Sequence, residues 1–282
     1  MEKPYYHQVS STVRETENPL QEPYRARVPF GVYRSEKPVN KAYPYYLPED
    51  TGAARPHRLL LNGKPVSIRG TCEYEHLLGK DHAFTEEQIH ARMDQIRAAG
   101  FNSFREAHCP HNLHYLEACE QNGILYWAQM GAHLYFDKEE FRENFRVLTK
   151  EWLRERRNSP SVILWGIQNE SMLPESFAAE ITGLIRSIDP TASKQRLVVT
   201  CNGGTGSDWN IPQNWSGTYG GSVEDYGNEI VRQRLAGEYG QYRVVGKHEE
   251  GDVKQKQNTG GDVSEELFCY CLQTKLREME KK

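Results

Sequence analysis

From Arg58 onward, short apolar runs alternate with amphipathic stretches, about 20–40 residues per pair. A chain of that kind is confined to a parallel β-sheet with helical crossovers. The strongest run is Val162-Ile163-Leu164-Trp165-Gly166-Ile167. It does not alternate, which marks a strand covered on both faces. Shorter runs at Asn102-Ser103-Phe104-Arg105, Ile124-Leu125-Tyr126-Trp127 and Arg196 to Cys201 read as its neighbours. Gly217-Thr218-Tyr219 and Leu235-Ala236-Gly237 read as weaker sixth and seventh strands. Upstream, Leu59-Leu60-Leu61 and Val66-Ser67-Ile68 form a hairpin around Asn62-Gly63, a dipeptide that tolerates positive φ.

Helices fill the intervals. Thr85-Glu86-Glu87-Gln88 is a capping box, Ile89, Met93 and Ile96 share one face, and Gly100 closes the helix. Asn112 to Asn122 is a second helix. Phe141, Phe145, Leu148 and Trp152 stripe a third, stopped at Asn158-Ser159-Pro160. Phe177, Ile181, Leu184 and Ile188 stripe a fourth, stopped at Asp189-Pro190, and Ser264 to Lys282 is the last. No glycine-rich phosphate loop follows the first strand, so a dinucleotide fold and its cofactor are not expected. The expected fold class is α/β, a (β/α)8 TIM barrel over residues 58–282. The 282 residues fit one barrel of about 250 with a short appendage. The barrel is expected to be incomplete, because no apolar strand follows the last helix.

Residues 1–57 differ. They hold 8 of the 14 prolines and 7 of the 16 tyrosines, which predicts an irregular leader. The net charge is −4, so no cationic field is present to hold nucleic acid. No run is long and apolar enough for a membrane span, and Met1-Glu2-Lys3-Pro4-Tyr5-Tyr6 lacks the core of a signal peptide. A soluble periplasmic or cytoplasmic protein is expected. Cys72, Cys109, Cys119, Cys201, Cys269 and Cys271 show no paired spacing and read mostly as buried thiols.

In a barrel, chemistry sits where the strands end. The polar residues after each apolar run are Glu73, Glu75 and His76; Arg105, Glu106 and His108; Gln129 and His133; Asn169 and Glu170; then Asn202, Tyr219 and Glu238. Carboxylates, imidazoles and amides of this kind suit a hydroxyl-rich ligand. Glu170 and Glu238, each ending a strand, are the equipment of glycoside hydrolysis, and each can also be read as a solvated loop acid. Trp209 and Trp215, in the polar loop 203–214, are candidates either to stack on a sugar or to cover the core. His108, His111 and His114 recur every three residues. A metal-dependent hydrolase built on them is the weaker alternative, because steps of three drift off one helical face. No metal or cofactor is expected.

These motifs resemble glycoside hydrolase family 2, the β-galactosidase and β-glucuronidase family. The resemblance rests on Leu61-Asn62-Gly63-Lys64-Pro65-Val66, on Glu75-His76, and on Ala99 to Arg105 followed by His108-Cys109-Pro110. Arg157 to Trp165 leading into Asn169-Glu170-Ser171, and Gly237-Glu238-Tyr239-Gly240, carry it further. It implies a retaining double displacement, with Glu238 as nucleophile, Glu170 as acid/base and carboxyls roughly 5 Å apart. It also implies that Asn169 holds the sugar 2-hydroxyl, Arg105 charge-pairs with Glu238, Tyr219 bonds the nucleophile, and His76 and His108 line the subsite. A β-galactoside is the first expectation, with glucuronide or mannoside as alternatives. Sandwich domains normally precede the barrel in this family, and here Val28 to Arg34 resembles a last sandwich strand. Partner domains or a second copy, and an oligosaccharide or small-molecule substrate, are the expected partners. A non-catalytic sugar-binding module is the alternative to an enzyme.

Overall fold

The computed structural model describes residues 32–34, 59–61, 64–75, 84–218, 222–223, 235–240, 243–244, 246–253 and 262–281. The chain forms two compact units, Met1–Asn210 and Ile211–Lys282.

The first unit opens with a small antiparallel sheet of β1 (Val32–Arg34), β2 (Leu59–Leu61) and β3 (Lys64–Pro65). Leu61 pairs with Lys64 and Leu60 with Pro65. The hairpin's second arm therefore lies ahead of the expected 66–68. The main sheet begins instead at β4 (Gly70–Glu73). It continues through β5 (Ser103–Glu106), β6 (Leu125–Gln129), β7 (Val162–Asn169) and β8 (Leu197–Cys201) to β9 (Trp209–Ile211), in chain order. The pairs from β4 to β8 are all parallel. Four helices alternate with these strands: α1 (Glu86–Ala98), α2 (His114–Asn122), α3 (Glu139–Arg156) and α4 (Glu175–Ile188). The α/β class with a parallel sheet is therefore observed, and among the described residues the sheet has six strands.

Local chemistry explains the boundaries. Gln88 N–H donates to Thr85 Oγ1 at 3.3 Å, and Thr85 N–H donates to Gln88 Oε1 at 2.9 Å, so the capping box forms as expected. Gly100, at φ 89°, leaves α1, and Gly123, at φ 63°, ends α2, both in the left-handed region. All eight residues of β7 are buried, as a continuous apolar run predicts. The helix-facing side of the sheet packs Phe104, Tyr126, Trp165 and Ile167 against Ile89, Met93, Leu116, Phe145, Trp152 and Phe177. No helix among the described residues is long and apolar enough to cross a membrane.

The second unit holds the parallel pair β10 (Arg243–Val244) and β11 (Asp262–Val263) and the helix α5 (Glu265–Glu280). Val263, Leu267 and Cys271 pack with Val223. Ser264 Oγ caps α5 by accepting from Leu267 N–H at 3.2 Å. Two expected strands are corrected here. Gly217-Thr218 is a turn, and Leu235 to Gly237 is irregular; one isolated bridge joins Asn214 to Tyr239. Gly217 at φ 76° cannot extend a strand, and Leu235-Ala236-Gly237 carries none of the β-branched residues that hold a buried one. Conversely, Trp209 lies on β9 rather than in a loop.

Candidate active site

Side chains on a strand alternate between faces, so neighbours in sequence part company. Phe104 and Glu106 of β5 face the helices. Arg105, between them, lies on the other face beside Trp127 and Gln129 of β6 and Asn169 of β7. Its guanidinium stands 4.4 Å from the Trp127 ring centroid and donates to Asn169 Oδ1 at 2.8 Å and to Gln129 Oε1 at 3.2 Å. Gly166 of β7 permits this packing. A Cβ there would stand 2.4 Å from Trp127 Nε1 and 2.6 Å from Gln129 Oε1.

Arg105 also orients the Asn169 amide. With Oδ1 occupied, Nδ2 faces His133 Nδ1 at 3.2 Å. Nδ2 is a donor, so His133 Nδ1 accepts, and that imidazole carries its proton on Nε2. His133 stacks on His108 at 5.3 Å, and Tyr74 meets His108 edge-on at 5.2 Å. Arg105, His108, Gln129, His133 and Asn169 therefore form one continuous polar group at the C-terminal end of the sheet. Burial, and then the charge of Arg105, push the His108 imidazole down to about 3.

Glu170 follows directly and is exposed. Its backbone is left-handed at φ 55°, as is Met172 at φ 53°. Such conformations cost about 1–3 kcal/mol each for a residue with a Cβ and gather at functional sites. Glu170 N–H donates to Cys201 O at 3.0 Å, and Ser171 N–H donates to Gln168 Oε1 at 3.0 Å.

Other candidates have different surroundings. Glu73 is ion-paired with Arg92 of α1. Glu75 accepts from Asn112 N–H at 3.1 Å, and burial raises its carboxyl above the usual range. Glu106 is fully buried and accepts from Tyr126 Oη at 2.6 Å, Gln129 N–H at 2.7 Å and His111 N–H at 2.9 Å. Its pKa is raised because desolvation outweighs these bonds and the nearby Arg156. Glu238 lies in the second unit, half-buried, where its carbonyl accepts from Asn214 N–H at 2.9 Å. Trp209 is half-buried on β9, and Asn202 is left-handed at φ 49°. His76 and Tyr219 lie outside the described residues.

The three spaced histidines do not converge. His108 joins the polar group, whereas His111 packs on Phe104 and Tyr115 at 5.9 and 4.9 Å. His114 sits on α2, 3.8 Å from Glu86. None of the six cysteines is joined in a disulfide; Cys119, Cys201 and Cys271 are buried, while Cys109 and Cys269 are exposed. Sequence reasoning passed over Trp127 as the platform under Arg105, although the two residues pair across β5 and β6. It passed over Gln168 as well.

The two imidazoles, His111 buried and His108 half-buried, make stability depend on pH. Burial lowers His111 to about 4, as it lowers His108 to about 3. In the unfolded chain both titrate near about 6.5. The unfolded state thus binds extra protons below that pH. Their contribution is present above about pH 6.5 and is lost as pH falls toward 3–4. The double variant His108→Gln/His111→Gln is expected to lose less Tm than the parent between about pH 7 and pH 5. Parallel Tm curves would contradict this.

The family profile "Glycosyl hydrolases family 2, TIM barrel domain" matches residues 53–211. A protein of Formosa agariphila is 30% identical over 225 residues, covering 73% of this chain and 27% of its own length. A Bacteroides fragilis protein named beta-glucuronidase is 25% identical over 193 residues, covering 62% of this chain and 27% of its own. A Vibrio vulnificus protein named beta-galactosidase is 32% identical over 123 residues, covering 40% of this chain and 12% of its own. The chain thus spans about a quarter of the length of the first two curated relatives it matches. The structure of Bacteroides uniformis beta-glucuronidase 3 superposes with a TM-score of 0.70 at 25% identity, over 80% of this chain and 32% of that one. The parallel sheet, the polar group at its C-terminal end and the profile match agree: this chain belongs to glycosyl hydrolases family 2.

Proposed function

We propose that this chain carries the catalytic barrel of a retaining exo-β-glycosidase, with residues 58–282 as the barrel and 1–57 as its leader. The observation that carries the reading is the pair Asn169-Glu170 at the end of β7. Asn169 is clamped by Arg105 and His133, and Glu170 is held in a left-handed turn beside it. In this reading Glu170 protonates the glycosidic oxygen and then takes a proton from the attacking water. Glu238 attacks the anomeric carbon and forms the glycosyl-enzyme. Asn169 donates to the sugar 2-hydroxyl from an amide whose direction is already set, a form of pre-organisation that favours the transition state. His108 lines the sugar site as a neutral imidazole. Arg105, His76, Tyr219 and Trp209 complete the proposed contacts, and no metal or cofactor enters the scheme.

A β-glucuronide is the first substrate and a β-galactoside the second, with β-mannoside third. The order follows the longer match to the relative named beta-glucuronidase and the fold neighbour of the same name. It replaces galactoside, the first expectation from sequence. Partner domains, or a second copy, that add strands to the sheet belong to this reading.

The test is hydrolysis of 4-nitrophenyl β-glucuronide, β-galactoside and β-mannoside by the chain. Turnover of the glucuronide at a kcat/KM at least about tenfold above the other two is expected. A galactoside preference would reverse the order. Sugar binding without any turnover would mark a non-catalytic module instead.

A further inference from the structure

Glu170 and Met172 both occupy the left-handed region, so the turn leaving β7 does not hold itself. Gln168 is the side chain that holds it. It is completely buried, and its Oε1 accepts from both Ser171 N–H, at 3.0 Å, and Ser171 Oγ–H, at 3.1 Å. Ser171 is the residue between the two strained positions. One amide oxygen therefore ties the middle of the turn back to the strand.

Two features of the sheet put Gln168 there. The register of β7 against β8 slips between Gly166 and Gln168, and a bulge of this kind re-aims a side chain. The space it enters is left by Gly203, where a Cβ would stand 1.5 Å from Gln168 Nε2. Gly203 is itself held by its N–H, which donates to Asn210 Oδ1 at 3.2 Å. The buried amide, the missing side chain opposite it and the double acceptor form one built device. A neutral amide suits the place, because a buried charge there carries a heavy desolvation penalty.

We infer that Gln168 is a positioning residue for the acid/base: through Ser171 it fixes the left-handed turn that sets where the Glu170 carboxyl stands. This deepens, and rests on, the hydrolase reading above. Proton donation to the leaving oxygen is sensitive to placement, since a shift of about 1 Å costs on the order of 100-fold. A misplaced acid hurts poor leaving groups more than good ones, because a good leaving group departs with little help.

The test compares 4-methylphenyl and 2,4-dinitrophenyl β-glucuronides with the parent chain, Gln168→Ala, Ser171→Ala and Gln168→Glu. Gln168→Ala is expected to lose at least about tenfold more kcat/KM on the methylphenyl substrate than on the dinitrophenyl one. Ser171→Ala, which removes only the hydroxyl, should show a smaller loss with the same leaving-group bias. Gln168→Glu keeps an acceptor but brings an ionisable carboxyl into the same dry space, so it should recover little of the loss. Equal losses on both substrates in both alanine variants would overturn the inference, since a merely structural defect is blind to the leaving group. Amide hydrogen exchange supplies a readout independent of turnover. The Ser171 amide should exchange at least about tenfold faster in Gln168→Ala, with Ile163 as an unmoved reference. Unaltered exchange at Ser171 would overturn the inference as well. If the parent chain hydrolyses neither substrate, the hydrolase reading fails and the assignment to an acid/base falls with it. The exchange result then decides only whether Gln168 holds the turn.

Discussion

Glu170→Gln is expected to lower kcat/KM for 4-methylphenyl β-glucuronide by roughly 10²–10⁴-fold, the range for removing a positioned general acid. Glutamine fills the same volume and keeps the hydrogen-bonding atoms, so the left-handed turn persists while proton transfer is lost. The loss should shrink on the dinitrophenyl glycoside, whose leaving group needs no proton. Breakdown of the glycosyl-enzyme still needs a base to activate water, so this variant should accumulate the covalent intermediate and show a burst of dinitrophenol. Glu238→Gln is expected to lose at least as much on both substrates and to show no burst, because no covalent bond to the sugar can form. Turnover indifferent to either change would remove the assigned roles. A burst in Glu238→Gln but not in Glu170→Gln would exchange them.

Glu106→Ala is expected to destabilise the first unit by about 3–5 kcal/mol, the cost of removing one partner from a buried ionic and hydrogen-bonded group. Glu106 has no exposed surface and receives three hydrogen bonds, from Tyr126 Oη and from the backbones of His111 and Gln129. Arg156 lies 3.9 Å away, itself buried, and donates to His111 O at 2.8 Å. Alanine leaves all of these donors without their acceptor, in a place water does not reach. Thermal melting should report the loss as a Tm lower by roughly 10 °C or more. Glu106→Gln keeps one of the two acceptor oxygens and should lose less than alanine. A Tm within about 1 °C of the parent for Glu106→Ala would mean that the network contributes nothing measurable.

The contrast between Arg105 and Glu106 shows where sequence reasoning stops. Both end the same short apolar run, and both are the kind of residue that a sugar site uses. Position along the strand brings both to the correct rim, but it does not say which face each occupies. The pairing of Arg105 with Cys72 on one side and Trp127 on the other settles that. The residues facing the helices build the core, and those on the opposite face build the site. The same limit applies to His108, His111 and His114. Spacing alone allows a shared ion, whereas the structure sends one to the polar group, one to the core and one to the surface of α2.

Several elements were legible from local chemistry alone. The capping box at Thr85, the glycine stops at Gly100 and Gly123, the helical stripes and the unbroken apolar run of β7 each use interactions within a few residues. The two weak strands failed for the complementary reason. A strand's partners are distant in sequence, and a tripeptide containing glycine carries no pattern strong enough to specify them. The placement of Asn169-Glu170 at the end of the most buried strand was determined by sequence, because period and composition alone mark such a strand. The orientation of the Asn169 amide, the left-handed turn at Glu170 and the hold of Gln168 on that turn were decided only by tertiary structure. Each depends on a contact between segments that the chain brings together only once the sheet has formed: Arg105 and His133 on one amide, and the space left by Gly203 for the other.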